Sequence, residues 1–171
     1  MKGYAVVRNL VETTDLYKLM LGVSKYCKCD KDNKKAPAFY GNPVMNILHQ
    51  KLLKKTEEVF DKELWLTYNY GRNYMRGSIL KRHHDRPACE YSISLCMGYD
   101  GKKPWKIYLK DLEGKTQSVN LKAGDALFYQ GTKCDHWRRK LTAKNNLQVF
   151  FHYVDKHGPY KKERGDKLKT Q

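Results

Sequence analysis

Residues 81–87 read Lys-Arg-His-His-Asp-Arg-Pro and contain a His83-x-Asp85 pair. On an extended strand positions i and i+2 share a face, so His83 and Asp85 converge while His84 points away. Pro87 ends regular pairing just beyond, as expected where a strand delivers ligands to a rim. The spacing alone says little: with 6 His and 18 acidic residues in 171, chance supplies about 0.6 such pairs. Context has to decide. A further histidine, His136, stands in Cys134-Asp135-His136-Trp137-Arg138, after Gly124-Asp125, a short apolar stretch and Gly131. That order of turn, strand and second strand brings His136 back across a sheet. Two imidazoles and one carboxylate on one side of a metal suit iron(II), leaving positions open for a bidentate cosubstrate and for oxygen. The bland alternative makes His83 and His136 ordinary polar strand residues. His84 reads as a supporting or surface group, and His49, His152 and His157 carry no pattern, although His152 could face a barrel interior.

The elements that must position these groups follow from the hydrophobic period. Residues 3–9 alternate as a strand, and Thr14-Asp15 opens a segment with Leu16, Leu19, Met20 and Val23 at helical spacing. Residues 27–38 form a polar, lysine-rich loop with room to move. Asn42-Pro43 then supplies an N-cap and a first-turn proline for a second helix, with Val44, Ile47, Leu48, Leu52, Val59 and Phe60 as its buried face. From Leu64 the period changes to two. Residues 64–75, 79–85, 89–99, 105–110, 116–121, 126–130, 134–139 and 147–155 read as strands. Arg76-Gly77, Asp100-Gly101, Glu113-Gly114, Ala123-Gly124 and Gly131 punctuate them with turn chemistry. Short, evenly spaced strands predict a mainly β fold, a jelly roll or barrel, with the N-terminal helices packed outside. One domain is expected over residues 1–155, with helical support in 1–62, the β core in 64–155, and a basic extension over 156–171.

The net charge of +16 attracts nucleic acid or another acidic partner by long-range steering, although solvated faces account for much of it. The lysines concentrate in 31–35, 51–55 and 156–169. Apolar runs fall far short of the roughly 20 residues of a membrane span, and Arg8, Glu12 and Asp15 interrupt the N-terminal stretch, so a soluble, cytoplasmic protein is expected. Five cysteines, an odd number, suggest reduced thiols; Cys27-Lys28-Cys29 could touch a soft metal but lacks a second pair.

The order His83-x-Asp85, Gly124-Asp125, His136 and a closing apolar strand over 148–155 resembles the iron(II)/2-oxoglutarate dioxygenases, nearest to the prolyl-hydroxylase-like branch. Arg72-Asn73-Tyr74, residues 83–92 and His136-Trp137-Arg138 add to the likeness, which covers about residues 64–155. The resemblance implies a double-stranded β-helix, with iron(II) on His83, Asp85 and His136. It implies 2-oxoglutarate and molecular oxygen as cosubstrates, and hydroxylation of a substrate with succinate and carbon dioxide as coproducts. Tyr74 matches a tyrosine that bonds the cosubstrate. The family places Arg or Lys nine or ten residues after the distal histidine, where this chain has Asn145 and Asn146 with Lys144 just before. Arg138, two residues beyond His136 and on its face, is the preferred anchor for the 5-carboxylate, with Lys144 the alternative. Two rivals remain: a cupin-like metal enzyme that recruits Glu90 as a fourth ligand, and a basic nucleic-acid-binding barrel without catalysis. The substrate stays open between a peptidyl side chain, a nucleobase, a free amino acid and a small metabolite; the charge tilts the reading towards an acidic macromolecule and the resemblance towards a peptidyl residue such as proline.

Overall fold

The computed structural model describes residues 2–166. In chain order the elements are β1 (Tyr4–Val7), α1 (Thr14–Ser24), β2 (Ala38–Tyr40), α2 (Pro43–Lys51), α3 (Leu53–Phe60), β3 (Leu64–Met75) and β4 (Leu80–His83). There follow β5 (Tyr91–Asp100), β6 (Ile107–Lys110), β7 (Thr116–Val119), β8 (Ala126–Gln130), β9 (His136–Arg138) and β10 (Asn145–Asp155). The strands form a six-stranded sheet in the order β1-β8-β5-β10-β3-β2 and a four-stranded sheet in the order β4-β9-β6-β7. Every pairing is antiparallel. This is the mainly β architecture expected, consistent with a jelly roll. Among the described residues no helix is long and apolar enough to cross a membrane.

The two faces of the large sheet have different duties. Along β5 and β10, Ile93, Leu95, Met97, Leu147, Val149 and Phe151 form one cluster with Met20, Met45, Leu52 and Phe60 from the helices. Burying such side chains contributes about 1.5–3 kcal/mol each, so the helices are held by this face. The alternate residues Ser92, Ser94, Gln148 and His152 are also buried, but they are polar and sit between other polar groups. Cys96, Leu127 and Tyr129 pack instead against Ile107, Leu109 and Val119 from the small sheet and against Leu121 just after it. The space between the sheets is therefore apolar in one half and polar in the other.

Local signals account for most boundaries. The Asn42 side chain accepts hydrogen bonds from Val44 N at 3.0 Å and Met45 N at 3.4 Å, with Pro43 opening α2, as the sequence predicts. The single second helix is, however, two, meeting at Leu52. There the Thr56 hydroxyl donates to Leu52 O at 2.7 Å, a side-chain bond to the preceding turn that bends helices.

Two expectations change. The loop at 27–38 is anchored: Asn73 N donates to Pro37 O at 3.0 Å, Met75 N to Lys35 O at 2.9 Å, and Ala36 is buried beside Tyr74, Trp105 and Phe150. It ends in β2, unseen in the sequence because three residues between a polar loop and a helix cap leave no period to read. The C-terminal segment, expected outside the core, folds back as far as residue 166. Gly165 N donates to Leu66 O at 3.0 Å, and the Arg164 guanidinium lies 3.9 Å from the Trp65 ring, a cation–π contact that holds the basic turn after β10 against the sheet. Residues 167–171 of that segment lie outside the described residues.

Candidate metal centre

His83 closes β4 and stands directly across from His136 on β9, with ring centroids 4.3 Å apart. Asp85 follows β4, fixed by its own N–H, which donates to Gly131 O at 2.9 Å. Oδ1 of Asp85 lies 3.6 Å from His83 Nε2 and 3.5 Å from His136 Nε2. One ligand atom from each of the three falls within 4.8 Å of the others, and they are the one such group among the described residues. Cys27 and Cys29 join no ligand group there, and the five cysteines are free thiols.

The imidazoles are aimed by the backbone. His83 Nδ1 lies 2.8 Å from Lys81 O, and His136 Nδ1 lies 3.0 Å from Cys134 O. A carbonyl only accepts, so each Nδ1 carries the proton and each Nε2 presents a lone pair towards Asp85. Burial pulls the His136 imidazole below its usual range, opposed by the Asp85 carboxylate, which favours the neutral ring that a metal requires. His136 is buried, whereas His83 is 40 % exposed on its side chain, so the centre opens on the His83 side. His84 points away as expected and meets Asp135 at 3.1 Å.

The open side faces a cleft of about 490 Å³ lined by Asp32, Lys34, Lys35, Tyr70, Arg72, Lys81 and His83, among others. Its wall is the anchored 27–38 segment. Arg72 is tied there by Asp32, through two hydrogen bonds of 2.9 and 2.8 Å, and by Asp30 at 2.7 Å.

Inside, Arg138 is 1 % exposed. Its guanidinium donates to Trp105 O and, at 3.2 Å, to Gln148 Oε1, and it lies 4.9 Å from the Trp105 ring. Both acceptors are neutral, and no carboxylate of the described residues pairs with it. Burial lowers its pKa, yet arginine starts so far above neutrality that the charge persists. An ion taken out of water without a counter-ion costs several kcal/mol. The arrangement is thus prepared for an anion. Tyr74 is buried edge-on to Trp105, 5.0 Å between centroids, and burial raises its phenol pKa against the opposing Arg72 and Arg138 charges.

Lys144 does not join this group. Its side chain is 74 % exposed and its nearest carboxylate is Asp100 at 3.8 Å, because Asn145 begins β10 and leaves Lys144 in the turn outside the sheets. Glu90 also lies elsewhere in its bonding, accepting from Asp155 N at 2.9 Å, and it is not in the three-residue group.

Sequence reasoning passed over three contributors. In the sequence Gly131 is a turn residue, but a Cβ there would stand 2.3 Å from Cys89 O and 2.5 Å from Asp85 Oδ2; the glycine is what lets the carboxylate approach. Gln148 links the sheets, receiving Arg138 from the small one and Ser94 at 3.2 Å within the large one. Ser92 touches Cys89 O at 3.1 Å and His152 Nδ1 at 2.8 Å. The signal available was Ser92, Ser94, Gln148 and His152 at alternate places among apolar strand residues.

No protein-family model matches the chain, and no curated protein does. Solved structures do. HygX from Streptomyces hygroscopicus, with nickel, 2-oxoglutarate and hygromycin B bound, superposes with TM-score 0.72 at 15 % identity, covering 91 % of this chain and 84 % of that one. A Pseudomonas putida prolyl-4-hydroxylase gives 0.64 at 12 % identity, covering 89 % and 93 %. The fold is that of the iron(II)/2-oxoglutarate oxygenases. The α-ketoglutarate-dependent epimerase SnoN from nogalamycin biosynthesis also matches, with TM-score 0.72 at 12 % identity over 90 % of this chain and 77 % of that one. One fold thus serves different reaction outcomes.

Proposed function

We propose that residues 1–155 form an iron(II)- and 2-oxoglutarate-dependent oxygenase domain in which His83, Asp85 and His136 hold the metal. The observation that carries this reading is the pairing of a two-histidine, one-carboxylate group with a buried guanidinium that meets no carboxylate among the described residues, two residues along the same strand from His136. At about 3.3 Å per residue the two Cα positions are roughly 6.6 Å apart, a span that a five-carbon diacid bridges when one end reaches the metal and the other the arginine fork. The donor set suits iron(II), with positions left for a chelating cosubstrate and oxygen. When bound, the iron supplies the oxygen activation that couples 2-oxoglutarate decarboxylation to oxidation of a substrate.

The protein's own groups prepare that reaction. Lys81 O and Cys134 O fix the histidine tautomers. Arg138 orients the 5-carboxylate, and Tyr74 offers a hydroxyl to the same end. The apolar half of the inter-sheet space keeps water from the back of the site. The cleft admits substrate from the His83 side, and its lysines favour an acidic substrate over a neutral one. Hydroxylation is the outcome we favour.

The test is anaerobic addition of iron(II) and 2-oxoglutarate, followed by oxygen without any added substrate. The proposal expects the visible absorption of an iron–2-oxoglutarate chelate and slow succinate release, both lost in His136→Ala. If the two signals are absent from the wild type, or survive in that variant, the reading is wrong. A cupin-like enzyme would take up oxygen without 2-oxoglutarate, but its fourth ligand, Glu90, is committed to the β10 backbone.

A further inference from the structure

Away from the metal, a cavity of about 760 Å³ is lined by Arg8, Asn9, Lys103, Pro104, Lys106, Asn120, Lys122 and Asp125. Asp125 precedes β8, and Gly131, which touches Asp85, follows it. Six residues at about 3.3 Å put the two ends roughly 20 Å apart, so this surface lies at the opposite end of the two-sheet body from the triad. The one carboxylate in it is already engaged: Asp125 accepts from Arg8 at 2.7 Å, from Asn9 N at 3.1 Å and from Lys122 N at 2.9 Å. These bonds hold its pKa below the usual range despite its burial. A second cavity adjoins through Lys103 and adds Arg76, Lys102 and Lys144, with Asp100 as its acid, and Asp100 faces Lys144. Arg76, Lys102, Lys103, Lys106 and Lys122 are all exposed, and none has a carboxylate within 4 Å among the described residues.

We propose that this face binds nucleic acid through its phosphodiester backbone. Cations strung over two adjoining cavities suit a ligand with repeated negative charge better than a single anion. Lysines are compact point charges, and the Asn9 and Asn120 side chains can add donors to phosphate oxygens; this is a chemistry that positions a backbone without reading bases. A membrane surface is disfavoured because none of the large exposed apolar side chains, from Leu19 to Leu112, lines either cavity. The same lack of apolar anchors argues against a folded acidic protein, whose interface needs a desolvated centre. The inference does not rest on the oxygenase reading.

The test uses the whole protein and a fluorescein-labelled 20-nucleotide single strand, RNA and DNA in parallel, with anisotropy measured from 50 to 300 mM salt. Neutralisation by these five cations gives a slope of log K against log salt of about −3.5, at roughly 0.7 per phosphate contact. Lys103→Glu/Lys106→Glu/Lys122→Glu should weaken binding at least 30-fold at 100 mM salt and flatten the slope. Lys25→Glu/Lys51→Glu/Lys54→Glu changes the net charge equally on other exposed positions and should stay within threefold of the wild type. Both variants should keep the wild-type melting temperature, metal affinity and substrate-free succinate release. The proposal is overturned if no binding occurs at 100 mM salt, if both triple variants lose affinity alike, or if polyglutamate or phosphatidylserine vesicles bind as tightly as the oligonucleotide.

Discussion

Replacing Arg138 by methionine separates a buried anchor from an exposed one. The guanidinium is fully buried, stacked on Trp105, and bonded to two neutral acceptors. In the proposed complex it becomes one half of a desolvated ion pair with the 5-carboxylate of 2-oxoglutarate. Removing one partner of such a pair costs about 2–5 kcal/mol, which raises Kd from about 30-fold to several thousandfold. The free protein should respond differently. Methionine removes the cost of burying the charge but leaves Trp105 O and Gln148 Oε1 without this donor, about 1–3 kcal/mol each; the two oppose one another, so the melting temperature of Arg138→Met without cosubstrate should change far less than the cosubstrate affinity. Lys144→Ala is the comparison. Its pair with Asp100 is exposed, and pairs of that kind contribute at most about 1 kcal/mol to folding; 2-oxoglutarate affinity should stay within twofold. Calorimetric titration of 2-oxoglutarate into cobalt-loaded protein measures both variants without turnover, with cobalt affinity determined separately in each. A Kd within threefold of the wild type for Arg138→Met, with cobalt still bound, would refute the assignment. A tenfold rise in Lys144→Ala would transfer the role to the lysine.

Gly131→Ala leaves every ligand in place but sets a methyl 2.3 Å from Cys89 O and 2.5 Å from Asp85 Oδ2; metal affinity should fall about 10- to 100-fold, the usual consequence of disturbing groups behind a ligand, and an unchanged calorimetric Kd would show that Asp85 is not held in this way. His84→Ala, which removes the contact with Asp135, should leave metal affinity and succinate release within twofold. His49 is buried, with Nε2 donating to His152 O at 3.1 Å, and burial holds its pKa down at about 3. The unfolded chain therefore takes up a proton near pH 6.5 that the folded chain refuses, so stability contributed by neutral His49 is complete above that pH and is lost progressively towards pH 3. Between pH 7 and 5 the wild type should lose about 2 kcal/mol more than His49→Gln, read by urea denaturation, and parallel profiles would contradict the buried neutral ring.

Which side chains share a face was legible in the sequence. Period-two alternation puts His83 and Asp85 on one side and His84 on the other, and the same rule separates His136 and Arg138 from Trp137, which stacks outside on Tyr108 at 5.7 Å. It also determined the N-cap at Asn42 and the strand β3 to the residue, since these depend on local bonds and a long uninterrupted pattern. What it could not determine was depth. Arg138 and Lys144 are both basic residues near the distal histidine, and only the register of β9 against β4, with Leu80 opposite Arg138, decides that one is enclosed between two sheets and the other lies in solvent. Gly131 is likewise a turn in the sequence and a clearance for the Asp85 carboxylate in space, because the atoms it makes room for come from residues more than forty positions earlier in the chain. The 27–38 segment and residues 156–166 are polar and lysine-rich, which locally means solvent; they are held by bonds to the β3 backbone and by the Trp65 ring, partners that only the closed fold brings to them.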